Sequence, residues 1–600
     1  MKVTCLSKGN GYYFPPCHII QISGFCILLD CPLDLSGLLI FSPIPVYSNG
    51  KLVEAFDCSC HGSLDTDCAA CQNKKAEYSE NLIHTVPWYK TVSNLHLWDV
   101  SFIDAVVISS PMGMLGLPFL TRNKSFSAKV YATEATTRIG KLIMDDLVSM
   151  HRELRQFYGP VDAGSAQWMN WDELEKIPRS VQEMILGKDG TELAGWLALY
   201  SGVDAEDCIQ KVQTLQYDEE TGYGGLLVIK AVSSGLDIGT SNWKFKSPKK
   251  DVVFISSSVF VSAPALSFNY HALQNCDVVL FSDFSSLNSM EVDEMEIGDS
   301  APMTEDADVA SLHSLEDPDE SSNEDQKLAF ICSCVIDSFK AGGSVLIPIG
   351  RIGVVLQLLE LISSSHEFSN SKVPIFFISS VAEELLSYTS IIPEWLCVER
   401  QKKLFACEPL FSHVNLMKEK RLHVLSSICS TGLLNVWQEP CIVFAPHWSL
   451  RIGPTVHLLH RWRGNENSLL IMEGGLDANL ALLPFKPMAM KVLQCSFLSG
   501  MRSSKVGPLM EKLQPKCVLL PDYMKTLVHN PKANSMSIVY YSENIMLRVP
   551  SLKKSAELEI LTELHSQCQC TSLKEENSKI ARLMGELGVD QGKYRIIAED

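Results

Sequence analysis

The stretch from Val106 to Leu120 constrains this chain more than any other. An apolar, β-branched run, Ala105 to Ile108, reads as a short strand buried on both faces, and Ser109 to Gly116 reads as the loop leaving its C-terminal end. In α/β sheets, ligands bind at such strand ends. This loop offers Ser, Pro, Met, Gly and Leu, none of which holds a hard cation or moves a proton at neutral pH. The position is that of a site; the chemistry of a site is missing from it.

Either side of this stretch, strand and helix signals alternate. Ala128 to Glu134 reads as a strand, and Thr136 to Leu154 as a helix with Ile139, Leu142, Ile143, Leu147 and Met150 on one face. Gly224 to Val232, Asp251 to Ile255 and Cys276 to Phe281 are further strands, followed by quiet loops such as Ser233 to Leu236 and Ser256 to Ser258. A second alternation runs through a helix at Leu328 to Lys340, a strand at Val345 to Pro348, a helix at Val354 to Ile362 and a strand at Val373 to Ser379. Strands at Cys441 to Ala445, Leu469 to Met472, Met490 to Cys495 and Cys517 to Leu520 extend it. Six hundred residues are too many for one core, so two α/β domains and a small C-terminal module are expected. That module is read as a strand-rich piece from about Ser537 followed by a charged amphipathic helix, Leu573 to Leu587.

Charge is concentrated in one place. Glu291 to Asp325 carries fourteen acidic residues and no Lys or Arg, so a net charge of −19 leaves about −5 for the rest. Low aromatic content with many acids predicts a disordered loop over 285–326. The remainder is too mildly acidic to imply or exclude direct RNA binding. Asp30, Pro32, Asp34 and Pro43 interrupt the apolar region His18 to Val46, which argues against a membrane span. Met1 to Asn10 lacks the order of a secretory signal. Twenty cysteines are then expected as reduced thiols. Among them, Cys58, Cys60, Cys68 and Cys71, with His61 nearby, could supply four soft ligands to one structural zinc ion, although the spacing is not that of a standard finger. The alternative is a polar surface insertion with incidental cysteines. No phosphate-binding Gly-rich loop or nucleophile elbow is present, and His413, His423, His447, His457 and His460 are scattered singly.

A strand ending in Leu-Leu-Asp30-Cys, the strand and loop at Ile108 to Leu120, the Ser-Gly turn at Ser234 to Gly239 and an insertion carrying Gly-Gly-Ser-Val-Leu-Ile-Pro together resemble the metallo-β-lactamase and β-CASP nucleases of RNA 3′-end processing. The likeness runs through roughly residues 1 to 540. It implies a metallo-β-lactamase αββα sandwich with an inserted β-CASP α/β domain and a small C-terminal α+β module. The boundaries expected from it are 1–284 and 487–546 for the sandwich, 327–486 for the insertion and 547–600 for a dimerisation module. Active members hold two zinc ions through a His-x-His-x-Asp-His motif and later ligands. The resemblance lays those positions on Ser110, Met112, Met114, Leu115, Leu236, Ser257, Leu483 and Gly500. Asp30 alone is retained. The resemblance therefore implies a nuclear pseudo-nuclease with no catalytic residue and no cofactor. Its partner would be a catalytic paralogue held through the C-terminal module, within a larger complex, with any RNA contact indirect. Two other readings stay open: the inactive subunit of the cleavage and polyadenylation factor, or an active zinc endonuclease with displaced ligands drawing on His413 or His447.

Overall fold

The computed structural model describes the chain apart from residues 45–81, 93–94, 96–98, 159–166, 171–173, 176, 188–191, 284–317, 526–535, 550–557, 561–570, 573–578, 582–585, 591–592 and 598–600. Two seven-stranded sheets face each other. The first runs, in spatial order, Met546–Arg548, Lys2–Ser7, Cys17–Ile22, Phe25–Leu29, Ala105–Ile108, Lys129–Thr133 and Val212–Leu215. The second runs Glu220–Tyr223, Leu227–Ser233, Ser241–Lys246, Asp251–Ile255, Val278–Phe281, Cys517–Pro521 and Ser537–Tyr541. Each begins as antiparallel hairpins and turns parallel, the first from Phe25–Leu29 onward and the second from Asp251–Ile255 onward. The parallel strands are the ones that read as unbroken aliphatic runs, because both of their faces are covered.

Side-chain alternation explains the layering. Ile27, Leu29, Ala105 and Val107 of the first sheet meet Ile229, Trp243, Phe245, Phe254 and Leu280 of the second in one core between the sheets. The opposite sets, Leu28, Val106, Ile108 and Val130, pack with Met144, Leu147 and Leu154 of the helix Glu134–Tyr158. On the far side, Val253, Ile255, Val279 and Phe281 pack with Val506, Leu509 and Leu513 of the helix Ser503–Leu513. Helix, sheet, sheet, helix is the resulting order. Burying Trp243, Phe245 and Phe254 completely contributes about 2–3 kcal/mol each.

A third sheet of six parallel strands is inserted between the strands Val278–Phe281 and Cys517–Pro521. Its order is Leu422–Leu425, Ile375–Ile378, Ile442–Phe444, Val345–Ile347, Leu469–Glu473 and Lys491–Cys495. Helices Pro318–Lys340 and Ile352–Ser364 cover it, and Ile139 of the sandwich helix joins the same core, tying the two domains together.

Four sequence expectations are corrected. Lys491–Cys495 pairs with Leu469–Glu473, so the insertion continues past residue 486; the short helix Ala478–Leu482 makes the crossover that parallel pairing requires. Met546–Arg548 pairs with Lys2–Thr4, so the sandwich reaches beyond residue 546. The helix Pro318–Lys340 begins inside the stretch assigned to the acidic loop. In the C-terminal region, Lys579–Ile580 and Glu586–Asp590 are strands rather than parts of a helix, the latter pairing with Lys593–Ile597, itself parallel to Leu558–Ile560. Cross-strand pairing outweighed a helical polar pattern there.

Candidate functional site

Four strand ends converge where the two sheets meet the insertion. After Phe25–Leu29 the chain turns through Asp30 in the left-handed region, φ +58°. The Asp30 N–H donates to the Val107 carbonyl at 2.9 Å, the Cys31 N–H to Gly113 at 2.6 Å and the Gly116 N–H to Cys31 at 2.8 Å, so the loops after two neighbouring strands are laced together. Gly113 is required by this closeness, since a Cβ there would lie 2.3 Å from Asp30 Oδ1. That same oxygen accepts the Ser109 N–H at 2.7 Å. Asp30 is buried, and burial pushes its carboxyl up to about 7 against the lowering effect of the Ser109 hydrogen bond.

The second sheet closes the other side. The Ser241 N–H donates to the Ser109 carbonyl at 2.8 Å. The turn Ser234 to Thr240 is internally satisfied, with the Ser234 hydroxyl on Thr240 Oγ1 at 2.8 Å and the Asp237 N–H on the same oxygen at 3.0 Å. Asn242 Oδ1 accepts from the Ser256 N–H at 2.7 Å while its Nδ2 donates to Ser258 Oγ at 2.9 Å. Asp283, just past Val278–Phe281, accepts the N–H of Ser258 at 3.1 Å and of Met501 at 2.7 Å. Sequence reading passed over Asp283; its only signal is an acid directly after a buried strand.

Of the positions that the resemblance assigns to metal ligands, Asp30, Ser110, Leu236 and Ser257 line one cavity of about 20 Å³, together with Gly11, Tyr12, Pro15 and Pro16. The others are elsewhere. Met112 lines a separate apolar cavity of about 90 Å³ between the sandwich helix and the insertion. Met114 packs its sulfur against Gly140, where a Cβ would come within 2.1 Å of it, and Leu115 is fully buried in the sandwich core. Gly500 lies against the Asp283 carboxylate, and Leu483 opens a short turn, Leu483–Phe485, in the insertion. His413 is buried beside Ser390 Oγ at 3.2 Å and His447 beside Ser449 Oγ at 2.8 Å; burial pushes them down to about 4 and about 3. Neither lines the Asp30 cavity. Cys58, Cys60, Cys68 and Cys71 lie outside the described residues.

Zinc takes thiolate, imidazole and carboxylate donors, four of them in a closed site. One carboxylate among hydroxyls, a leucine and two prolines does not fit a zinc pair. Among the described residues, no group of three or more His, Cys, Asp or Glu side chains is placed to hold a metal ion.

The loop that narrows the cavity is pinned by a buried network spanning both domains. The Tyr12 hydroxyl donates to Asp237 Oδ2 at 2.9 Å, and the Tyr13 hydroxyl donates to Glu473 Oε2 at 2.5 Å. Arg351 pairs with Glu473 through Nε and Oε1 at 2.5 Å and stacks its guanidinium 4.1 Å above the Tyr12 ring. Tyr13 also stacks on Trp448 at 4.3 Å and accepts the Gly350 N–H at 2.9 Å. Burial raises the carboxyls of Asp237 and Glu473, while Arg351 opposes both shifts.

The four-layered sandwich with a parallel α/β domain inserted between its strands is the arrangement of a metallo-β-lactamase fold with a β-CASP insertion, and a Beta-Casp domain model matches residues 354–478, within that inserted domain. Over nearly its whole length the chain is similar to Integrator complex subunit 9. It is 28% identical to the Nematostella vectensis homolog, covering 99% of this chain and 84% of that one. Against the Homo sapiens protein it is 27% identical, covering 94% and 79%. Similarity to cleavage and polyadenylation specificity factor subunit 2 of Arabidopsis thaliana is lower, 22% over 64% of this chain and 42% of that one.

Proposed function

We propose that this chain is a non-catalytic, pseudo-nuclease subunit of a nuclear Integrator complex. In this reading it pairs through the C-terminal module that follows the strand Met546–Arg548 with the catalytic β-CASP endonuclease, Integrator subunit 11, and joins other Integrator subunits. The assembly acts in small nuclear RNA 3′-end processing and in transcription termination by RNA polymerase II. Similarity to Integrator complex subunit 9 over 94–99% of the chain supports the assignment to that complex rather than to the polyadenylation factor.

One observation carries the non-catalytic reading: the cavity that retains Asp30 measures about 20 Å³. That is room for about one water molecule. Two metal ions about 3.5–4 Å apart, with a scissile phosphate between them, need far more, and small-molecule sites ordinarily occupy about 300–1,000 Å³. Ser110, Leu236 and Ser257 supply no donor suited to zinc, and Tyr12, Pro15 and Pro16 fill the space. Ser110, Met112, Met114, Leu115, Leu236, Ser257, Leu483 and Gly500 are therefore proposed as lost ligand positions.

Metal analysis and RNA cleavage by the purified chain test this reading. No zinc pair and no cleavage are expected, whereas two zinc ions per chain that depart in Asp30→Asn would overturn it. We also propose one structural zinc at Cys58, Cys60, Cys68 and Cys71; Cys68→Ser should lower the zinc content by one ion per chain, and unchanged content would reject the site.

A further inference from the structure

The apolar cavity beside Met112 lies where the topology of the inserted sheet places a ligand site. Val345–Ile347 and Ile442–Phe444 are neighbouring parallel strands whose onward connections part. The first leads through the helix Ile352–Ser364 to Ile375–Ile378, and the second through the helix Pro454–Trp462 to Leu469–Glu473. These helices pack on opposite faces of the sheet, one with Val345, Ile347 and Phe444, the other with Leu346 and Val443. In open α/β sheets, ligands bind outside the carboxyl ends of strands that diverge in this way. Ile349 and Gly350 after the first strand, and Ala445 and His447 after the second, line the cavity.

Its other walls are mainly apolar, with Leu142 and Met150 of the sandwich helix facing Ile352, Val355 and Phe377 of the insertion around a volume of about 90 Å³. Folded interiors keep few voids larger than a water molecule. An apolar cavity of about 150 Å³ stays dry and takes up benzene, so by proportion this one holds about three or four non-hydrogen atoms. That is a small solute, below the size for which drug-sized sites are shaped.

One polar atom breaks the lining. His447 is more than nine-tenths buried. The Ser449 N–H donates to its Nδ1 at 3.1 Å, so Nδ1 is the acceptor and the neutral ring carries its proton on Nε2. Burial keeps the ring neutral by pushing it down to about 3. Nε2 has no hydrogen-bond partner among the described residues, yet it is not sealed off by packed side chains as both ring nitrogens of His18 are. The space it faces is the cavity. Buried donors are nearly always paired. The Asp146 carboxyl on the same wall is already engaged, by the Ser380 N–H at 3.1 Å and the Ser380 hydroxyl at 2.7 Å. An N–H donor in an apolar chamber asks for an acceptor oxygen on an aliphatic body, and desolvation excludes a charged one.

We propose that this cavity is a binding site for a small uncharged aliphatic molecule with one acceptor oxygen, a short-chain alcohol or ketone, whose oxygen sits on His447 Nε2. Such a molecule touches the sandwich helix and both strand ends at once. The proposal does not depend on the non-catalytic reading.

Ligand-observed NMR titrations of 2-propanol and of cyclopropane against the purified full-length chain test it. Saturable binding of both is expected. Val355→Leu fills the chamber and should abolish both; Val381→Leu, at a half-buried position on the same wall, repeats the test if the first variant does not fold. His447→Asn keeps an oxygen for the Ser449 N–H and removes the Nε2 donor. It should weaken 2-propanol about two- to tenfold and leave cyclopropane unchanged. Binding that survives both filling variants would overturn the proposal, as would equal effects of His447→Asn on the two probes. No saturable binding of either probe would do the same, since it marks a chamber that holds only water.

Discussion

Asp30→Asn should stabilise this protein above neutral pH and do so progressively less as the pH falls. In the folded chain the carboxyl is buried and pushed up to about 7, whereas in the unfolded chain it titrates at its ordinary value of about 3.9. The folded state therefore holds a proton that the unfolded state has already released between those values, and stability declines with rising pH by at most about 1.4 kcal/mol per unit. Asn keeps an oxygen to accept the Ser109 N–H and does not titrate. The stability difference between Asn and Asp should thus move in favour of Asn by about 2–3 kcal/mol from pH 5 to pH 7 and then level off. Urea denaturation at pH 5, 6, 7 and 8, with similar slopes for both proteins, measures it. A difference that stays flat with pH would refute the buried, unpaired carboxylate on which the argument depends. So would a loss of stability in Asp30→Asn at pH 8, since a carboxylate holding a cation would behave that way.

Gly113→Ala should cost about 1–3 kcal/mol by overpacking, because the new Cβ falls 2.3 Å from Asp30 Oδ1; in an Asp30→Ala background, denaturation should show most of that cost gone. Arg351→Met strands Glu473 in the domain interface and should cost about 3–5 kcal/mol, while adding Glu473→Gln should recover part of it. A loss under about 1 kcal/mol would mean that the pair is not holding the domains together. Removing residues 551–600 should abolish co-purification with the catalytic partner and leave thermal melting of the sandwich unchanged, since Met546–Arg548 still closes its first sheet. Retained co-purification would place the contact elsewhere.

How well each part could be read before the structure depends on how local its cause is. Ala105–Ile108 and Asp251–Ile255 were identified to the residue because an unbroken aliphatic run buried on both faces leaves its mark on consecutive side chains. The helix Glu134–Tyr158 was found from its apolar stripe, with ends a few residues longer than that stripe because capping and the last turns add nothing to periodicity. That Ser110, Leu236 and Ser257 carry hydroxyl and aliphatic groups was likewise legible, as side-chain chemistry is written in the sequence directly.

Placement was another matter. Lys491–Cys495 reads as a strand in isolation, yet nothing in its five residues says which of three sheets will pair with it. Asp283 became part of the site only when Ser258 and Met501, 25 and 218 residues away, were brought to its carboxylate. Tyr12 and Pro15 narrow the crevice because Asp237, Arg351 and Glu473 meet around their loop from two domains. Amino-acid order alone decided the buried strands and the amphipathic helix Glu134–Tyr158, and which side-chain groups each loop offers, since these follow from neighbouring side chains. Which segments meet, and how little space remains between them, belongs to packing across hundreds of residues, where no local pattern records the partner.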